Sequence, residues 1–305
     1  MIISGLNILF SGGVGRSGTT IVGRILRQHS EVFAGSPNEI KFITETNGLI
    51  DLTFGLRDFL PSQTSLKGRV YAKIPLQKSR QFRFHTFRNR VLGDWWNRTN
   101  RLGVQSGLHR SMPEAKMEEL LKQLKSDLDN PVEAARNFIH GYVANHIKYR
   151  GESVWMDTTP ANIMYSDLFY HILPEAKFIE MKRSPLDNIS SVLKEPWGPD
   201  ELDKAIPWFM DRVSLANHAK AKLPDKSKIT FFLEDLVKDN RDSEYERLRS
   251  FVNLSDEPKM RKYFDQEVIP ERAHFGRWQK EFSDPESVRG KFAEFANKRS
   301  FSESY

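Results

Sequence analysis

Short apolar runs and helix-period stripes alternate along the chain. Ile8, Leu9 and Phe10 form a run of the kind a buried parallel strand shows, and Ile21, Val22, Ile25 and Leu26 follow as one stripe at helical spacing. Further apolar runs at 69–75, 153–157, 176–183 and 229–236 read as strands. Between them lie periodic stripes: Phe84, Phe87, Val91, Leu92 and Trp95; Met117, Leu120, Leu121 and Leu124; Phe138, Ile139, Tyr142, Val143, His146 and Ile147. Later helices are expected through Leu168, Ile172 and Leu173, over 186–193, over 201–223 and over 288–298. Ser36-Pro37-Asn38-Glu39 spells a capping box, which predicts a helix running on through Ile40 and Ile43. Such alternation predicts an α/β fold, a parallel sheet flanked by helices on both faces, with the ligand beyond the strands' C-terminal ends.

Composition narrows the class. The chain has 305 residues, 39% hydrophobic and 28% charged, as a globular α/β protein of one domain would. No run approaches the roughly 18 apolar residues of a membrane span. The N-terminus lacks a basic region before its first strand, so no signal peptide is expected and the protein is read as cytoplasmic. Without cysteine, disulfides and thiolate metal sites are excluded. A formal net charge of +6 favours anionic ligands without naming one.

The candidate chemistry begins between the first strand and the first helix. Gly12, Gly13, Gly15 and Gly18 surround Arg16, Ser17, Thr19 and Thr20. A glycine-rich turn feeding a helix N-terminus gathers backbone N–H groups and the positive end of the helix dipole, which suits an anion; otherwise it is only a connector. Gly13 to Gly18 fits the nucleotide P-loop spacing, but Thr19 stands where that loop needs lysine, and the cation is Arg16. Glu39 is explained by capping, or by a carboxylate acting as general base; the two are compatible. His140 and His146 have no partner at metal-ligand spacing and read as structural or exposed. Arg183 closes a strand, and Ser191 lies about 9 Å along the next helix, so the two could hold one anion. Residues 78–112 carry eight Lys or Arg against one acid, Asp94, which reads as a solvated basic helix face or a polyanion surface.

Taken together, these motifs resemble the sulfotransferase family, in particular its bacterial carbohydrate and tyrosylprotein-like branch. Arg16-Ser17-Gly18-Thr19-Thr20 matches the 5′-phosphosulfate loop at every position. Asn38-Glu39 falls where that branch carries its base, and Arg183, Pro185 and Ser191 keep the spacing of the 3′-phosphate motif, about 170 residues further on. Glu234-Asp235-Leu236 and Gly276-Arg277-Trp278 resemble later elements of the family, the second a loop that closes over the nucleotide. The resemblance implies a single domain over 1–305 of sulfotransferase type, P-loop-like, with a mostly helical insertion at about 78–150. It implies transfer of a sulfuryl group from 3′-phosphoadenosine 5′-phosphosulfate to an acceptor hydroxyl, without metal. Glu39 and Arg16 would be catalytic, and Arg16, Ser17, Gly18, Thr19, Thr20, Arg183, Ser191, Arg277 and Trp278 would hold the donor. Arg83, Arg88 and Arg90 would meet an anionic acceptor, most simply an acidic glycan. The branch usually has lysine where Thr158 stands, which leaves a second cation unassigned, with Lys73 one option. Other classes are a P-loop kinase, which the missing lysine disfavours, a non-catalytic binder of sulfated ligands, and a nucleic-acid binder, for which no motif speaks.

Overall fold

The computed structural model describes residues 7–35, 37–55, 80–99, 103–147 and 153–301. Five strands form one sheet in the order β2-β3-β1-β4-β5: β1 (Asn7–Gly12), β2 (Val32–Ala34), β3 (Val154–Asp157), β4 (Lys177–Lys182) and β5 (Lys228–Phe232). β1 and β2 each pair parallel with β3, and β4 pairs parallel with β5. Among the helices are α1 (Thr19–Leu26), α2 (Leu49–Phe54), α3 (Arg80–Leu92), α4 (Glu114–Ser126) and α5 (Pro131–Ile147). They continue with α6 (Ser166–Ile172), α7 (Pro185–Val192), α8 (Leu202–Ala221) and α9 (Arg241–Val252). The series ends with α10 (Pro258–Glu267), α11 (Pro270–Ala273), α12 (Trp278–Glu281) and α13 (Pro285–Lys298). The chain divides into two compact units, and both are discontinuous in sequence.

The first unit holds residues 1–10, 30–159 and 167–177. Its core is aromatic. Phe42, fully buried, meets Tyr142 at 5.0 Å, Phe138 at 5.6 Å and Phe87 at 6.4 Å between ring centroids, while Phe10 meets Phe169 at 4.4 Å. Edge-to-face pairs of this kind add to the area they bury. Within residues 78–150 the described helices α3, α4 and α5 all lie in this unit, and between α3 and α4 Thr99 pairs with Gln105 in an antiparallel bridge. The sequence stripes hold here: Phe84, Phe87 and Val91 are the buried face of α3, and Met117, Leu121 and Leu124 that of α4.

The second unit holds residues 11–29, 160–166 and 178–305. Ile189 and Val192 of α7 pack with Ile206, Phe209 and Val213 of α8 and Phe292 of α13, and Val14 from the glycine-rich turn is built into the same cluster. A polar knot ties α8 to β4 and β5, where Lys220 reaches both Glu180 and Thr230 Oγ1, and that hydroxyl donates to Glu180 at 2.9 Å.

Two local expectations change. Residues 37–48 form turns and no helix, so the capping explanation of Glu39 falls. Ser36 itself, the expected strand at 69–75 and Lys73 lie outside the described residues. β2 falls where the apolar pattern announces no strand, because three residues, Val32-Phe33-Ala34, are too few to show a period.

Candidate functional site

In the second unit, β1 runs into a turn with three left-handed backbone positions, Gly15 at φ 91, Arg16 at φ 60 and Gly18 at φ 97. Gly18 is also the N-cap of α1, where its left-handed conformation suits glycine. Gly13 is required for a different reason: a Cβ there would stand 2.1 Å from Ser17 Oγ and 2.6 Å from the Met181 carbonyl. Two hydrogen bonds pin the turn, one from Gly13 N–H to the Pro160 carbonyl at 2.9 Å and one from the Asn188 side-chain Nδ2 to the Gly15 carbonyl at 2.9 Å. Ser17 is 1% exposed, and its hydroxyl has no hydrogen-bond partner among the described residues. Thr19 is buried and Thr20 exposed at the start of α1.

The two anion motifs meet. Arg16 Nε donates to Ser191 Oγ at 3.0 Å, across 175 residues of sequence, and lies 3.4 Å from Glu195 Oε1. Arg183, just past the end of β4, is 9% exposed. Its Nη1 donates to the Arg16 carbonyl at 3.4 Å, and its Nη2 to the carbonyls of Ala273 at 3.2 Å and His274 at 3.0 Å. The late loop is clipped to α7 as well. Asp187 accepts from Gly276 N–H at 2.9 Å and Trp278 N–H at 3.4 Å, and Glu281 takes contacts from Ser190, Lys194 and Arg277. Trp278 is buried. Trp197, 55% exposed, packs its ring edge over Gly15.

Glu39 belongs to the first unit, in the turns between β2 and α2. Its segment is stitched to the end of β3. Asp157 Oδ1 accepts from Ile40 N–H at 2.9 Å, Thr158 Oγ1 donates to the Asn38 carbonyl at 2.9 Å, and Lys41 N–H reaches Thr159 Oγ1 at 3.4 Å. Arg98 Nη2 donates to the Glu39 carbonyl at 2.8 Å, and Phe42 plugs the aromatic core three residues on. Lys41 Nζ lies 3.8 Å from Glu39 Oε2 and 3.6 Å from Glu45 Oε1. Burial raises the Glu39 pKa above the ordinary carboxylate value; the Lys41 ammonium opposes the shift, and Asp157 adds to it.

The basic helix is amphipathic as expected, and all three of its singled-out arginines have partners. Arg83 Nε donates to the Leu52 carbonyl at 3.3 Å, Arg88 pairs with Glu118 at 2.6 Å, and Arg90 bonds the Thr46 carbonyl while lying 4.3 Å from the Trp95 ring centre. Trp95 and Trp96 are buried and so are not open stacking faces.

A sequence profile of the sulfotransferase family matches residues 9–258. The chain belongs to that family. No curated protein matches it in sequence. Solved relatives of similar structure include the sulfotransferase domain from the curacin biosynthetic pathway, at 16% identity and TM-score 0.48, covering 97% of this chain and 98% of that one. Sulfotransferase STF9 from Mycobacterium avium is 13% identical at TM-score 0.45, over 97% of this chain and 77% of its own. Sulfotransferase STF1 from Mycobacterium tuberculosis is 12% identical at TM-score 0.44, over 95% and 77%.

Four residues of these neighbourhoods carried no sequence signal as site residues: Lys41, Arg98, Asp187 and Glu195. Each is a charged side chain in a stretch where a solvated surface is the ordinary expectation.

Proposed function

We propose that this sulfotransferase uses 3′-phosphoadenosine 5′-phosphosulfate as donor and a hydroxyl, of a carbohydrate or another anionic molecule, as acceptor. The observation that carries the donor reading is the meeting of Arg16 with Ser191, which joins two anion motifs distant in sequence. The residues fit such a group. Ser17 offers a buried hydroxyl with no partner among the described residues, Gly13 lets the turn close tightly against Ser17 and the Met181 carbonyl, and α1 begins at the turn. The donor, when bound, supplies the sulfuryl group. Ser17, Gly18, Thr19 and Thr20 bind its 5′-phosphate through N–H and hydroxyl groups. Arg16 offsets negative charge growing on the leaving phosphate oxygen, and Glu39 removes the acceptor's proton. Arg183, Ser191, Arg277 and Trp278 are assigned to the nucleotide's 3′ side.

Adenosine 3′,5′-bisphosphate should raise the melting temperature without metal, the stabilisation reaching about 2.7 kcal/mol at a hundredfold excess over Kd. A response to ATP with magnesium, and none to the bisphosphate, would overturn the donor assignment. Arg183→Ala separates two roles. A reader of the 3′-phosphate loses about 1.5–3 kcal/mol toward the bisphosphate and little toward 5′-AMP. Equal losses for both nucleotides would make Arg183 only a staple between the Arg16 turn and the late loop, through the carbonyls it now holds.

For the acceptor, the basic outer face of α3 motivates an anionic molecule, and Arg83, Arg88 and Arg90 would each have to share it with a present partner. Raising salt from about 0.05 to 0.3 M then raises the acceptor's KM several-fold more than the donor's, because screening weakens steering. Equal shifts would leave α3 an ordinary surface.

A further inference from the structure

We infer that Glu195 is a positioning residue for Arg16, an inference that rests on the donor reading above and names a residue the family motifs do not contain. Glu195 stands four residues after Ser191, in the turn that ends α7, where its N–H bonds the Val192 carbonyl at 2.9 Å and its own carbonyl accepts from Gly198 N–H at 3.0 Å. Both side chains reach the Arg16 guanidinium, one from the last turn of α7 and the other from just beyond its end. Both address the same edge of the same guanidinium: Ser191 Oγ accepts from Nε at 3.0 Å, and Glu195 Oε1 lies 3.4 Å from that nitrogen. A guanidinium is a planar fork with five donors, so fixing the Nε edge leaves the Nη pair as a preset fork for phosphate.

Burial sharpens the point. The Glu195 side chain is 4% exposed while that of Arg16 is 45% exposed. A buried carboxylate is costly, and facing a half-exposed cation it gives little to stability. What it does give is direction. Arg16 needs it, because its backbone already sits at φ 60 with its carbonyl held by Arg183, so the side chain leaves the turn on a fixed bearing and swings only about its own torsions. Anchoring one edge removes that freedom before a ligand arrives. It also gives arginine a use at position 16 that lysine lacks, since an ammonium is a point charge with no second edge.

The alternative is that Glu195 only stands in for a phosphate and competes with it, and the two ideas differ in sign. Glu195→Asp keeps the negative charge but withdraws it by one methylene. A positioning role then weakens adenosine 3′,5′-bisphosphate binding by calorimetry, on the order of five- to tenfold, with an unchanged melting temperature. In an Arg16→Lys background the same replacement changes affinity less than about twofold, because the edge it served is gone. Tighter or unchanged binding in Glu195→Asp, or equal losses in both backgrounds, would overturn the proposal. A readout without ligand keeps it separate from the donor assignment. In arginine-labelled protein the Arg16 Nε–H resonance, assigned by its loss in Arg16→Lys, should exchange with water about tenfold faster in Glu195→Asp. If the wild-type protein does not bind the bisphosphate, the donor reading fails; if Nε–H exchange is unaltered, the positioning role fails.

Discussion

Glu39→Gln is expected to lower turnover by about 10²–10⁴-fold while leaving adenosine 3′,5′-bisphosphate affinity unchanged. Gln has the shape of Glu but cannot take a proton. The backbone that fixes residue 39 is held by Arg98 and by the Asp157 and Thr158 contacts of its neighbours, none of which uses the Glu39 carboxylate. Burial, with Asp157 and Glu45 adding and Lys41 and Arg98 opposing, holds the Glu39 pKa above its ordinary value. A base works ionised, so the wild-type rate should fall as pH drops through that raised pKa, and the variant should lack this limb. Stability runs in the opposite direction. A folded pKa above the unfolded one contributes stability below the unfolded pKa, and this is lost as pH rises through the folded value. At neutral pH, then, Glu39→Gln should melt no lower than wild type. A turnover within about threefold of wild type would remove Glu39 as base.

Gly13→Ala is expected to abolish measurable nucleotide binding and to cost about 3 kcal/mol of stability. The added carbon would lie 2.1 Å from Ser17 Oγ and 2.6 Å from the Met181 carbonyl. Ser17 could rotate, but the carbonyl belongs to β4 and cannot move without disturbing its pairing with β5. The turn must shift instead, carrying with it the N–H groups assigned to the 5′-phosphate. Urea denaturation gives the stability, and calorimetry with adenosine 3′,5′-bisphosphate the binding. A variant that binds with wild-type affinity would show that the turn does not form the phosphate cradle.

Much of this was legible in the letters, and where it was not, tertiary contacts are the reason. Ile8 to Phe10 and the stripe through Leu26 announce β1 and α1, because a buried strand and an amphipathic helix each leave a period. Ser36 to Glu39 spell a helix start, yet the Ile40 N–H is taken by Asp157 from the end of β3, and the Leu49 N–H by the Phe42 carbonyl. Bonds from distant sequence outweighed the local signal. The spacing of Arg183 and Ser191 was readable too, but their partners were not. Ser191 serves Arg16, and Arg183 holds carbonyls of the Arg16 turn and the late loop. Spacing says which helix turn a residue occupies, and nothing of which loop folds back over it. Glu195 shows the same limit, since an acid just past a helix end looks like any solvated charge.

The register of the central strands sets an order of events during synthesis. Asn7 to Phe10 pair with Val154 to Asp157, and Val32 to Ala34 with Val154 to Met156, so the third strand is the template for the first two. At translation rates of about 5–20 residues per second, β1 waits roughly ten seconds or more for that template to leave the ribosome. Through that interval Ile8, Leu9 and Phe10, all within 1% of full burial once folded, have no native strand to join. The nascent chain is thus open to off-pathway strand pairing for about half of its own synthesis, and its yield should respond to lower growth temperature or to holding chaperones more than to gains in final stability.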